Sequence, residues 1–323
     1  MEDLHIGEEF KSLLQISDYL EPEKFLSVLK EFAQRNDVII DEKQDKFTEK
    51  HLKPLIPSIK KFFKYLRELY DEQIRELQKK HKPDRKKKTP FSATLDNYPI
   101  GYCFSITDSI LKSVERMGLE NILGNVFDVD NLILKRIYII LDDKYFQNAI
   151  QMGTLYIDVA NDTVDVKKEK VVVKHLKDVN YKNFGDFEHF AIVAERYLNV
   201  KLYPNKDFPE VFDIFPLIVY SESHGYNFFD YNATMFFKNV ASNFELSEKF
   251  KKSEFYLNRN LPEDGKKFLK QYIEKYDFPF RLKNLFNQVK FITNNNQFKE
   301  QLMIIADYIA KLQELPKEIY ENV

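Results

Sequence analysis

"NYPIGYCFSITDSILKSV", residues 97–114, decides how the middle of this chain is read. It carries Cys103, the only cysteine in 323 residues, with Tyr102 between it and Gly101. Ile106, Ile110, Leu111 and Val114 recur at helical spacing, so residues 104–117 are expected to form a helix with one apolar face. A thiol at a helix N-terminus meets unpaired amides and the positive end of the helix dipole, both of which favour a thiolate. The next amides could also form part of an oxyanion hole. Gly101 would let a substrate approach the backbone closely, and Pro99 would stiffen the approach to the helix. The competing structural reading is a small buried hydrophobe that happens to start a helix.

Downstream the periodicity changes from helix to strand. "LKRIYIIL" (134–141) is β-branched and reads as a buried strand, and "FQNAIQM" (146–152) alternates. Gly153-Thr154 reads as a tight turn, with "LYIDVA" (155–160) as the partner strand and "EKVVV" (169–173) as a fourth. "DFEHFAIVAERYL" (186–198) has helical periodicity, and "IFPLIVY" (214–220) is a short strand.

Upstream, "EEFKSLLQISDYL" and "EPEKFLSVLKEFAQR" read as helices, the second with Pro22 in its first turn. "VIIDEKQDKF" breaks the pattern before a long amphipathic stretch from Leu55 to Lys80. Beyond residue 230 "GKKFLKQYIEKY", "RLKNLFNQVKFI" and "NQFKEQLMIIADYIAKLQ" each carry an apolar stripe. The expected architecture is α+β: a small antiparallel sheet with a cysteine-bearing helix, flanked by helical segments at both ends. The expected divisions are a helical region at 1–90 ending in a basic linker, a core at 91–230 and a helical region at 231–323.

The segment "YPIGYCFSITDSIL" resembles the cysteine-helix segment of bacterial transglutaminase-like proteins, in which an aromatic-Pro-x-Gly-x-Cys stretch opens the helix. "FQNAIQMGTLYIDVANDTVDV" resembles the hairpin that follows in that group. The resemblance runs from Tyr98 to Val173 and implies a papain-like cysteine hydrolase core. It gives Cys103 the nucleophile's place and Asp158 the place of the group that orients the base. The chain departs from the pattern where the base belongs. Eleven residues before Asp158 stands Gln147 in place of the group's histidine. Glutamine forms hydrogen bonds but cannot take up a proton near neutral pH.

A base could come from elsewhere, and His224 in "YSESHGYNFFDYN" is the best candidate, with Asn227 and Asp230 near it in sequence. His189 falls within an expected helix, His175 just past a strand, and His5, His51 and His81 in flanking segments.

Composition narrows the function. Hydrophobic residues make up 44% and charged residues 31%, enough for a real core. The net charge of −2 argues against a nucleic-acid partner. The run "KKHKPDRKKK" (79–88) could touch phosphate, but Pro83 and Asp84 interrupt it, and a solvated helix end is the favoured reading. One cysteine excludes an internal disulfide framework and fits a reducing compartment. The acidic N-terminus lacks the pattern of a signal peptide, no apolar run reaches the length that spans a bilayer, and a cytoplasmic protein is expected. GxGxxG and the Walker pattern are absent, which argues against a nucleotide. HExxH and CxxC are absent, and "DVDN" (128–131) and "DYN" (230–232) lack the rest of a calcium loop, so no metal or other cofactor is expected. Two readings of function remain open ahead of a third, a nucleic-acid-associated factor using residues 79–88. One is a degenerate transglutaminase-like interaction or scaffold protein with another protein as partner. The other is an active cysteine hydrolase or acyltransferase with Cys103 as nucleophile and His224 or a partner-supplied group as base.

Overall fold

The computed structural model describes residues 9–10, 13, 22–80, 94–118, 132–230, 233–275, 281–289, 292 and 294–322. Residues 81–88 of the basic run, "DVDN" at 128–131, residues 231–232 of "DYN", most of "EEFKSLLQISDYL", His5 and His81 lie outside the described residues. The described chain is α+β, with an antiparallel five-stranded sheet and helices before and after it. It divides into two compact units, one around Asn36–Asn183 and one made of Leu4–Arg35 with Phe184–Val323. These units cut across the expected regions 1–90, 91–230 and 231–323. The first amphipathic helix and the stretch after residue 183 find their apolar partners among the C-terminal helices.

In the first unit, helix α2 (Glu42–Phe47) occupies the stretch that broke the amphipathic pattern. Asp41 caps it by accepting from the Lys43 and Gln44 amides at 2.8 and 3.0 Å. Helix α3 (Ile56–Lys80) and helix α4 (Cys103–Met117) follow. The sheet comprises β1 (Leu134–Leu141), β2 (Tyr145–Met152), β3 (Leu155–Asp158), β4 (Val172–His175) and β5 (Tyr181–Lys182), in the order β4-β3-β2-β1-β5. The hairpin expected from "FQNAIQMGTLYIDVA" is present as β2 and β3. Gly153 turns it with a φ of 59°, a value glycine adopts without strain. A Cβ at Gly153 would lie 2.4 Å from Thr48 Oγ1. That hydroxyl accepts the Thr154 amide at 2.9 Å, so the turn is seated on the segment after α2.

Side chains alternate along β2, and both faces are covered. Ile150 and Met152 point into a core shared with Leu155 and Ile157 of β3, Ile59, Phe63 and Leu66 of α3, and Cys103, Ile106, Ile110 and Val114 of α4. Ala149 points the other way, into a smaller cluster with Ile137, Ile139, Tyr156, Leu176 and Val38. Period-two alternation therefore sends Ile150 and Met152 to one cluster and Ala149 to the other.

The second unit contains α1 (Pro22–Gln34), α5 (Phe187–Leu198) and an antiparallel sheet of β6 (Lys201–Pro204), β7 (Leu217–Ser221) and β8 (Gly225–Phe228). Six helices follow: α6 (Ala233–Ala241), α7 (Glu245–Phe250), α8 (Glu254–Asn258), α9 (Glu263–Ile273), α10 (Leu282–Val289) and α11 (Asn295–Asn322). Phe25 and Phe32 of α1 stack edge-on against Phe298 and Phe237, which ties α1 to this unit. The strand expected at 214–220 is β7. Among its neighbours, β6 ends its ladder on side chains. The Leu202 amide donates to Glu195 Oε1 at 2.9 Å, and its carbonyl accepts from Arg259 Nη1 at 3.2 Å, which blunts an exposed edge. Among the described residues no helix is long and apolar enough to cross a membrane.

Candidate functional site

Cys103 is the first residue of α4, with Tyr102 as a cap that contributes no side-chain hydrogen bond. The segment before it is fixed by backbone. The Tyr102 amide donates to Pro99 at 3.0 Å, and the Gly101 amide donates to Thr163 at 3.4 Å. Cys103 is 5% exposed.

β3 pairs only with Ile150–Met152 of β2, which leaves the earlier half of β2 without a ladder neighbour on that side. α4 fills the gap: Thr107 Oγ1 donates to the Asn148 carbonyl at 3.1 Å. This brings the side chain of Asn148 to the thiol, with Nδ2 donating to Cys103 Sγ at 3.5 Å. The other end of the amide accepts from Arg136 Nη1 at 2.9 Å. A guanidinium can only donate, so Arg136 forces Asn148 Oδ1 toward itself and turns the NH2 group to the sulfur. Arg136 is itself laid over the Phe104 ring at 4.5 Å.

Gln147 and Asp158 also meet. Gln147 Nε2 donates to Asp158 Oδ1 at 2.8 Å. Gln147 shares the strand parity of Ala149, and Asp158 that of Tyr156, both of the second cluster. Asn148 has the parity of Ile150, which packs with Cys103. The residue that faces the thiol is therefore Asn148, and Gln147 is spent on Asp158. The β3 residues pointing toward the cysteine's cluster are Leu155 and Ile157, both apolar.

Asp158 is 1% exposed and also accepts from Tyr156 Oη and the Ala160 amide, each at 2.9 Å. Burial pushes its carboxyl up to about 6, against the pull of these three donors, and the charge of Asp162 adds to the rise. Burial, followed by the charge of Asp158 and the bond to it, holds the Tyr156 phenol well above its ordinary range.

His224 belongs to the second unit, in the turn between β7 and β8. Its Nδ1 is 2.6 Å from Ser223 Oγ, and its amide donates to Ser221 Oγ at 3.2 Å. Asn227 is fully buried, with Nδ2 donating to the Pro316 carbonyl of α11 at 2.9 Å and Oδ1 accepting the Phe228 amide. Of the first unit's described histidines, His175 Nε2 lies 2.9 Å from Asp45 and 3.0 Å from Thr154 Oγ1, while His51 stacks on Phe47. Among the described residues no cluster of His, Cys, Asp and Glu could hold a metal ion.

Sequence reasoning missed the strongest polar cluster of this unit. Arg67 of α3 is completely buried. Its Nε donates to Asp71 at 2.8 Å, Nη1 to the Val159 carbonyl at 2.8 Å and to Asp162 at 2.7 Å, and Nη2 to Asp162 at 3.0 Å. Asp71 also accepts from Tyr98 Oη and Lys170 Nζ. Burial works against the Arg67 charge, but the bonds to Asp162 and Asp71 outweigh it and raise its pKa above the ordinary value. The cluster fixes the 159–163 loop, on which Gly101 rests, to α3. A signal was present in the sequence: Arg67 and Asp71, opposite charges at i and i+4, fall on the same stripe as Phe63 and Ile74.

Compared with known proteins, the chain matches no protein-family model, no curated protein and no solved structure.

Proposed function

We propose that this chain is a degenerate transglutaminase-like protein that has given up thiol catalysis and acts as an interaction or scaffold component. The observation that carries the reading is the pair Asn148–Cys103. A carboxamide whose NH2 is turned to the sulfur can donate to a thiolate but cannot take the thiol proton, so it offers neither a general base nor an acid for a leaving group. The geometry of Arg136 removes the alternative amide orientation. The neutral composition and the single cysteine support a protein partner in a reducing, cytoplasmic compartment.

The test is turnover and alkylation. Incorporation of an amine into glutamine-containing protein and hydrolysis of an activated ester are expected to be the same for the native chain and for Cys103→Ala. Iodoacetamide is expected to label Cys103 far more slowly in the folded chain than in denaturant, because the sulfur is buried. Cys103-dependent turnover, or rapid labelling that stays constant down to pH 6, would overturn the reading in favour of the active hydrolase.

A further inference from the structure

His175, the last residue of β4, joins three segments of the first unit. β4 and β5 are the two outermost strands of its sheet, and residues 176–180 carry the chain from one to the other. That crossover opens with a turn at Leu176–Asp178, capped by the His175 ring, whose Nδ1 accepts the Lys177 amide at 3.2 Å. The Leu176 amide donates to the Thr154 carbonyl at 2.9 Å, and the Leu176 side chain is buried in the cluster with Ile137, Ile139, Ala149 and Tyr156. A backbone amide only donates, so Nδ1 is bare and the neutral ring carries its proton on Nε2. Nε2 faces Asp45 Oδ1 of α2 at 2.9 Å and Thr154 Oγ1 at 3.0 Å, and Thr154 Oγ1 donates in turn to Asp45 at 3.1 Å. This tautomer leaves no lone pair toward Thr154, so the two are not a nucleophile and its base.

We propose that His175 is an acid-operated release for this crossover: the neutral ring caps the Leu176–Asp178 turn, and protonation of Nδ1 frees the turn while Asp45 and Glu49 retain the ring. Imidazole is the side chain whose ordinary charge change falls between about pH 5 and pH 8. Once both nitrogens carry protons, Nδ1 cannot accept, and the Lys177 amide faces a second donor. The carboxylates on the other side favour the imidazolium. Glu49 Oε1 is 3.7 Å from Nε2. Its bonds to Lys177 at 2.7 Å and to Lys53 at 2.6 Å hold its carboxyl down at about 2, so it stays ionised throughout the interval. From the turn itself Lys177 and Asp178 add one charge of each sign. Leu155, paired with His175 across the ladder, is apolar, and Lys174 points to the opposite face of the strand. The imidazolium also competes with Lys177 Nζ for Glu49, so both effects of protonation loosen the same turn. The device stands on this geometry and holds whether or not Cys103 is inert.

NMR of the full chain, isotope-labelled at histidine and lysine nitrogens, tests it. At about pH 8 the His175 ring is expected to show Nε2 protonated and Nδ1 bare. On acidification to about pH 5 the Lys177 amide proton is expected to move upfield in step with the titration of His175. Its protection from solvent exchange, corrected for the intrinsic pH dependence, is expected to be lost over the same interval. His175→Asn keeps an acceptor at the cap position at every pH, so in that variant the Lys177 amide is expected to stay in place. Far-UV circular dichroism checks that the variant is folded, and the measurements on the native chain do not depend on it. Asp158 also titrates in this interval, and the variant separates the two groups. A Lys177 amide that moves equally in His175→Asn assigns the change to another carboxyl and overturns the proposal. It is equally overturned by a neutral ring protonated on Nδ1, or by a native Lys177 amide that keeps its position and protection down to about pH 5.

Discussion

Asp71 and Asp158 are both buried in the first unit, 3% and 1% exposed, and each accepts three hydrogen bonds. Their carboxyls move in opposite directions. Burial raises both, but Asp71 is bonded by Lys170, Tyr98 and Arg67 and ends below its ordinary value. Asp158 is bonded by a backbone amide, a phenol and a carboxamide, all neutral, and ends at about 6. The number of donors does not set the outcome; their charge does. Neutral donors recover only part of the cost of desolvating a carboxylate, whereas two cations recover more than all of it. The same contrast separates the Arg67 cluster, where every charge is answered, from the thiol beside it, which can be buried with a single weak donor because it carries no obligatory charge.

The change that breaks this comparison most severely is Arg67→Met. It removes the guanidinium from buried Asp162 and leaves Asp71 with Lys170 as its cation, and a loss of ~3–5 kcal/mol in unfolding free energy is expected by urea titration. A loss below about 1 kcal/mol would mean that water or a rearranged Lys170 replaces the guanidinium.

Asp158→Asn probes the other carboxylate. The folded pKa is raised from 3.8 to about 6, so the folded state holds the proton more tightly than the unfolded state. The stability this contributes is complete below pH 3.8 and is lost as the pH rises through about 6. The rise corresponds to ~3 kcal/mol of penalty on the ionised form above that range. Relative to the native chain, the asparagine variant is therefore expected to gain stability on going from pH 4.5 to pH 7.5. A difference between the two proteins that is flat with pH would show that Asp158 stays ionised in the fold.

Lys170→Gln is the mildest of the three. The Lys170 side chain is 44% exposed, so solvent screens its bond to Asp71, and a loss of only ~0.5–1 kcal/mol at neutral pH is expected. Its informative signature is the acid limb. The stability contributed by the lowered Asp71 pKa is present above its unfolded value and lost as pH falls through the folded one. Removing the lysine raises that folded pKa toward the ordinary value, so the window of acid loss moves upward. Urea titrations between pH 2 and pH 5 would show it, and an unmoved limb would assign the lowering to Arg67 and Tyr98 alone.

Much of the first unit's local structure was legible in residue order. The apolar spacing of Ile106, Ile110, Leu111 and Val114 marked α4, and the alternation of "FQNAIQM" with Gly153-Thr154 marked the hairpin. Helix α2 was not anticipated, because its short, charged sequence has no apolar stripe and read as a break in the pattern. β6 and β8 were not anticipated, because each is only four residues long and its pattern is set by what packs on the sheet. The division into units was hidden as well. It depends on which apolar faces meet across long sequence separations, as when Phe25 finds Phe298.

The candidate site divides along the same line. Sequence alone determined that Cys103 starts a helix, that a hairpin follows it and that no histidine stands at position 147. Those are consequences of local periodicity and of covalent spacing. Tertiary structure alone decided that the thiol faces Asn148, that Arg136 fixes the direction of that amide, and that Gln147 is bonded to Asp158. Adjacent residues of a strand point to opposite faces, so a single residue decides which side chain a packed helix meets. Only the packing of α4 against the open half of β2 selects between them.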